Sequence, residues 1–263
     1  MRHLVSIILL ILISSCTTNN IEVQEERQMS GIYNMAYDLL ESGLYPEAAN
    51  EFLEVERQYP YSSWSERAII MAAYSYFKDH KFNSTITQCN RYISLFPSGE
   101  YIAYSHYLIG QSYYLQIPNL GRDQNFSWKA LKQFNLIMER YPESDYADDA
   151  RFKRDLTLDH IAGDEMEVGR YYLKKNLFPA AINRFKKVIE NYQTTSHIEE
   201  ALARYSEAYL SMGIYTEAQT AAAILGFNYP NGKWYKYTYN QLEKGGLQPS
   251  KDNDSWLNKV WNP

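Results

Sequence analysis

Residues able to do chemistry are few in this chain: five histidines, two cysteines, and acidic runs at Asp145, Asp148 and Asp149 and at Asp164, Glu165 and Glu167. An active site of the usual kinds needs a nucleophile beside a base, several ligands on one metal, or a glycine-rich phosphate loop. His80, His106, His160 and His197 are far apart, and none forms an HxxH or HExxH pair that would set two nitrogens on one metal. The acidic runs lack the alternating oxygen ligands and central glycine of a calcium loop, and aspartates near helix starts complement the helix dipole. The residues therefore predict a chain that is not an enzyme and holds neither metal nor cofactor. A formal charge of −5 without a long basic run also argues against nucleic acid as a partner.

Cys16 is the exception, because its neighbours give it a context. Arg2 and His3 precede an apolar run from Leu4 to Ile13, and Ser14-Ser15 lead directly into the cysteine. The run is shorter than the roughly 20 apolar residues that span a bilayer, so residues 1–15 read as an export signal rather than a membrane helix. The arrangement resembles the lipobox of bacterial lipoproteins. That resemblance implies cleavage before Cys16, diacylglycerol on its sulfur and an acyl chain on its new amine, which would tether the chain to a membrane. The other reading is an ordinary signal peptide with an incidental cysteine. Thr17 follows rather than Asp, which by the same resemblance favours the outer membrane. Cys89 then has no cysteine partner, so stability must come from packing, for which 25 tyrosines and 10 phenylalanines supply large side chains.

The elements that carry these residues repeat. A small residue, an aromatic or leucine three later, another small or short residue nine beyond that, an apolar pair and an aromatic-Pro step recur five times. The copies are anchored on Ala36, Ala73, Gly110, Gly169 and Ser206, and they close at Tyr59-Pro60, Phe96-Pro97, Tyr141-Pro142, Tyr192-Gln193 and Tyr229-Pro230. Apolar residues recur at three- and four-residue steps on either side of a short Gly, Asn or His turn, so each copy divides into two helices. The small anchor lets paired helices approach, and proline ends the second helix. The expected fold is all-α: a tetratricopeptide-like solenoid of five helix-turn-helix repeats plus added helical segments. Cys89 takes the place filled by Phe52, Phe134 and Phe185 in other copies, which predicts a buried, unreactive thiol.

Two departures set the organisation. The third repeat carries an insertion within 117–124, expected to project as a loop. Surplus residues before the fourth predict an added helical segment over 146–161, with Phe152, Leu156 and Ile161 on one side. Residues 16–29 are then a lipid-anchored linker, 30–142 a front half of repeats one to three, and 143–230 the added helix with rear repeats four and five. Residues 231–263 supply a capping helix from Trp234 to Leu242 and a loose tail, in which Trp256, Leu257, Val260 and Trp261 form a short amphipathic turn that packs back.

In tetratricopeptide units the first helix of each pair lines the concave face, at places three before, one after and four after the small anchor. Tyr33, Tyr37 and Leu40, then Ile70, Tyr74 and Phe77, then Tyr107, Gln111 and Tyr114 occupy those places in front. Met166, Arg170, Leu173, Ala203, Glu207 and Leu210 occupy them at the rear. An aromatic front groove, with Arg67 and Lys78 nearby, suits an extended peptide carrying apolar side chains and a carboxylate end. The competing reading has several of these tyrosines touching an added amino-terminal segment or each other. The rear groove is expected to lack aromatics and to bind something else.

The lipobox, the five repeats, the insertion in the third and the extra helix before the fourth together resemble the BamD family, the YfiO lipoproteins of the outer-membrane β-barrel assembly machine. Tyr74-Ser75-Tyr76-Phe77-Lys78, Arg122-Asp123 and Ala181-Ile182-Asn183-Arg184 are the local matches. The resemblance implies a place on the periplasmic face of the outer membrane. It implies docking on POTRA domains of the barrel subunit BamA through the rear repeats, with Arg184 matching a family arginine of that contact, alongside the machine's other lipoproteins. It further implies that the front repeats receive carboxy-terminal signals of unfolded barrel proteins. A different periplasmic repeat lipoprotein, scaffolding cell-envelope or peptidoglycan enzymes, is the alternative.

Overall fold

The computed structural model describes residues 27–261, so Cys16, the signal segment and most of the linker lie outside the described residues. Twelve helices are present among them, and no strand. Five antiparallel pairs follow one another: α1 (Met29–Glu41) with α2 (Tyr45–Gln58), α3 (Ser63–Lys78) with α4 (Phe82–Leu95), α5 (Ile102–Tyr114) with α6 (Asn125–Arg140), α7 (Ala147–Lys174) with α8 (Phe178–Asn191), and α9 (Ile198–Ser211) with α10 (Tyr215–Asn228). Each helix packs on the next, α7 also touches α9, and α11 (Lys233–Lys244) lies against α9 and α10. A short α12 (Trp256–Trp261) ends the described chain against α10. The order of contacts is that of a helical repeat solenoid.

The turn inside a repeat needs one left-handed residue. Gly43 and Gly213 adopt it with φ of 77° and 74°, and His80 and Asn176 adopt it with 57° and 59°. The same slot therefore serves the turn of repeats one, two, four and five, and there Leu44, Lys81, Leu177 and Ile214 immediately precede the second helix as its N-cap. Across the pair, the small anchor meets the aromatic of the second helix. A Cβ on Gly110 would lie 2.8 Å from Phe134, and one on Gly169 would lie 2.4 Å from Phe185. Phe52, Phe134, Phe185 and Cys89 are all fully buried, and burial pushes the Cys89 thiol pKa upward, away from reactivity.

The insertion does not project. Gly121, at φ 82°, donates its N–H to Asp164 Oδ1 at 2.8 Å, Gln124 Nε2 reaches the same oxygen at 3.4 Å, and Leu120 lies over Gly163. A side-chain acceptor and a glycine gap on α7 thus hold the loop down. The added segment is not a separate helix either: it runs unbroken into the first helix of repeat four as the 28-residue α7. No proline interrupts the sequence there, and the helix continues through Gly163. Ile161 is buried, but Phe152 and Leu156 are 60% and 41% exposed, so the three do not share one buried side.

Candidate peptide-docking face

Helical geometry sorts the places one turn around each small anchor. At about 100° per residue, the places three before and four after the anchor point about 60° and 40° from it, toward the partner helix. The place one after points about 100° away, toward the open face. Burial follows that rule except in repeat three, where Gln111, one after the anchor, is buried. Tyr33, Ile70, Met166 and Ala203, all three before an anchor, are no more than 6% exposed. The corresponding place in repeat three, Tyr107, is only half-buried. Tyr33 therefore belongs to the core: its ring meets Phe52 and Trp64 edge-on at 5.3 and 4.8 Å, and the Arg67 guanidinium lies 5.9 Å over it. Tyr37 and Tyr74, one after the anchor, reach the face, Tyr37 at 47% exposure. Phe77 is half-buried beside Phe82, 6.0 Å between centroids, and the Lys78 ammonium sits 6.0 Å over Tyr45.

Repeat three carries a denser arrangement. Tyr107 donates its hydroxyl to Asp149 Oδ2 at 2.6 Å, and buried Gln111 donates to both the Tyr107 oxygen at 2.6 Å and Asp149 at 3.3 Å. Asp149 lies in the first turn of α7, so the triad clasps α5 to the long helix. Burial, then the bond to Asp149, pushes the Tyr107 phenol up to about 12. Tyr146 lies 5.1 Å from Tyr107 and 5.0 Å from Tyr104, whose phenol burial also pushes upward, with Tyr74 adding to the push. Tyr114 meets the Phe134 edge at 6.2 Å and lies under Lys153, whose ammonium is 5.5 Å from its ring and 3.5 Å from Asp149. Tyr37 and Tyr74 thus face outward, whereas Tyr107 and Gln111 are engaged in the clasp. Asp149, Lys153, Tyr104 and Tyr146 were not among the expected groove residues.

At the rear, Arg170 pairs with Glu167 and Glu200, and Arg204 pairs with Glu200 and Glu207, so one carboxylate bridges two guanidinium groups. The Arg204 guanidinium also lies 5.0 Å over Trp234 and 5.5 Å over Tyr237. The rear face does not lack aromatics; α11 supplies them. Arg184 is partly exposed and pairs with Glu165 at 2.9 Å, where Lys187 also arrives at 3.0 Å. Among the described residues no group of three or more His, Cys, Asp or Glu side chains is placed to hold a metal, and no helix is long and apolar enough to cross a membrane.

Stacked helix pairs closed by one left-handed turn residue, with a small-residue anchor under an aromatic, define a tetratricopeptide-type repeat protein. The profile of the YfiO family, described as "Outer membrane lipoprotein", matches residues 25–224. A Caulobacter vibrioides protein named "Outer membrane protein assembly factor BamD" is 43% identical over 228 residues, covering 87% of this chain and 75% of that protein. A Rickettsia prowazekii protein of the same name is 41% identical, covering 81% and 84%, and one from Neisseria meningitidis is 28% identical, covering 90% and 95%. The chain belongs to the YfiO family, whose named relatives here are BamD assembly factors.

Proposed function

We propose that this chain is a non-catalytic scaffold for assembling proteins of the outer membrane, held on the periplasmic face by lipid on Cys16. The observation that carries the reading is its 43% identity to an outer membrane protein assembly factor over 87% of its length. In this reading the rear repeats dock on POTRA domains of a BamA-like barrel subunit, beside the machine's other lipoproteins, with Arg184 as a contact. The half-exposed guanidinium of Arg184, held by Glu165, supports that role, because it is oriented yet still reachable. Unfolded barrel proteins meet the front repeats along Tyr37, Tyr74 and the edge of Tyr114. Rigid aromatic side chains add contact area at low entropy cost, which suits a client of varied sequence.

The test separates the two halves. Tyr37→Ala with Tyr74→Ala is expected to lower crosslinking of a barrel-protein carboxy-terminal peptide several-fold while co-purification with the barrel subunit is unchanged. Arg184→Glu, which sets a second carboxylate beside Glu165, is expected to do the reverse. Equal losses for both substitutions would refute the division of labour. Recovery of cell-wall hydrolases in place of a barrel protein would refute the assembly reading itself. Mass spectrometry of the membrane-bound chain is expected to show Cys16 as its acylated first residue.

A further inference from the structure

The residues after Gly245 lie on the body of the protein through a small set of contacts. Ser250 N–H donates to the Gln219 carbonyl, Gln219 Nε2 to the Gln248 carbonyl, and Asp252 N–H to Thr220 Oγ1. Glu217 is the hub that holds the start of α12. Its Oε2 accepts from Ser255 Oγ at 2.8 Å and from Tyr205 Oη at 2.9 Å, and its Oε1 accepts from the Trp256 N–H at 3.1 Å. Leu257 is fully buried in the rear core, and Lys186 Nζ lies 3.9 Å from the centre of the Trp256 ring. One short stretch of α10 thus holds the backbone, while α8, α9 and α10 together hold two side chains.

A six-residue helix does not form alone in water. The shape of α12 therefore depends on its seat, as that of a bound peptide does. The connection agrees: Gly246 is left-handed at φ 70°, and Lys251, Asn253 and Asp254 are exposed. Beside Trp261 the seat continues into a hollow of about 370 Å³ against Ile224 and Phe227, the latter 87% exposed.

We infer that the groove formed by α8, α9 and α10 is a peptide-binding site for a short helix opening Ser-Trp-Leu, and that its occupant is the chain's own segment 248–261, bound in cis. Ser255 and the Trp256 amide are read by the Glu217 carboxylate, the indole by Lys186, and Leu257 by the apolar floor. The tether supplies an effective concentration on the order of millimolar, so the site stays filled without tight intrinsic affinity.

The experiment uses the full chain with Trp256→Ala and Leu257→Ala, and a fluorescent peptide of residues 248–261 added in trans. The peptide is expected to bind this variant, to bind the parent chain at least about tenfold more weakly, and to lose at least about tenfold when Glu217→Ala is added, the loss of a charged hydrogen-bond acceptor. Absence of binding to a variant that keeps its helical circular dichroism would overturn the inference. If the double variant fails to fold, Glu217→Gln is followed by hydrogen exchange instead. Faster exchange confined to 248–261 supports a bound segment, and faster exchange spread through α8–α11 makes the tail part of the core and overturns it. Dimers in the parent chain that dissociate in the variant would show docking between copies and overturn the cis assignment.

Discussion

Gly169→Ala tests the packing rule on which the whole stack rests. The added methyl carbon would lie 2.4 Å from Phe185 Cε1, 2.9 Å from Cδ1 and 3.0 Å from Cζ. Carbon contacts are comfortable at about 3.5–4.0 Å, so the ring edge must retreat by about 1 Å. Phe185 is fully buried, with core residues of α7, α8 and α9 around it, so its retreat must displace them. Overpacking of this kind costs about 1–3 kcal/mol, whereas alanine gains about 1 kcal/mol over glycine inside a helix. The net expectation is a loss of up to about 2 kcal/mol, or a melting temperature lower by up to about 8 °C for a chain of this size. Urea unfolding followed by circular dichroism measures it. Adding Phe185→Leu is expected to recover about 1 kcal/mol relative to the sum of the single changes, because the two sites share one volume. If Gly169→Ala stabilises the chain, or if the two changes simply add, close approach through Gly169 is not what seats Phe185.

Tyr107 gives a pH signature. Its raised pKa means that the clasp contributes stability in full below the ordinary phenol value near 10 and loses it as pH rises through about 12. A difference titration at 295 nm between the parent and Tyr107→Phe should show this phenolate appearing near 12. Asp149→Asn should lower that midpoint while leaving it above 10, since burial is the larger cause; an unmoved midpoint would remove Asp149 from the clasp. Asn176→Gly, at φ 59°, is expected to stabilise the fourth repeat by up to about 1 kcal/mol, and Gly213→Ala, at φ 74°, to destabilise the fifth by about 1 kcal/mol or more. Denaturation midpoints that move together rather than in opposite directions would show that turn strain is not what sets these positions.

The repeat was legible because its signal is redundant. Five small anchors, four prolines after the second helices and a Gly, His or Asn turn state the same two-helix unit several times over, and consistency across copies outweighs any weak local preference. The groove was less legible for a definite reason. The concave-face expectation groups three places per repeat, although 3.6-residue periodicity separates the place after the anchor from the one three before, and Tyr33 turns inward for that reason. Asp149 lies in the first turn of a helix, as its acidic run predicts, but its bond to Tyr107 spans 42 positions, and no local pattern reports such a pairing. Trp234 and Tyr237 escaped the rear face because they come from beyond the repeats. Burial of Leu257 beside Trp256 was foreshadowed by the expectation that the tail packs back, yet the role of Glu217 was not: a glutamate near a helix start has a sufficient local reason to be there.

The long helix α7 decides how the two faces relate. By the usual rise of about 1.5 Å per residue, its 28 residues span roughly 42 Å. Its first turn carries Asp149, bound to Tyr107 of the front face; further along come Asp164, holding the insertion, Glu165, holding Arg184, and Arg170, joined to the rear ladder. Had the added segment been a separate helix, a hinge would have stood between the front and rear repeats, and the two faces would have moved independently. A single unbroken helix leaves only small elastic bending, so the spacing along α7 between Asp149 and Glu165 stays nearly constant. Coupling between the faces then runs through the contacts that α7 makes at its two ends. Loosening the Tyr107–Asp149 clasp is expected to speed hydrogen exchange in α5 and not in α8, since Glu165 and its arginine are untouched.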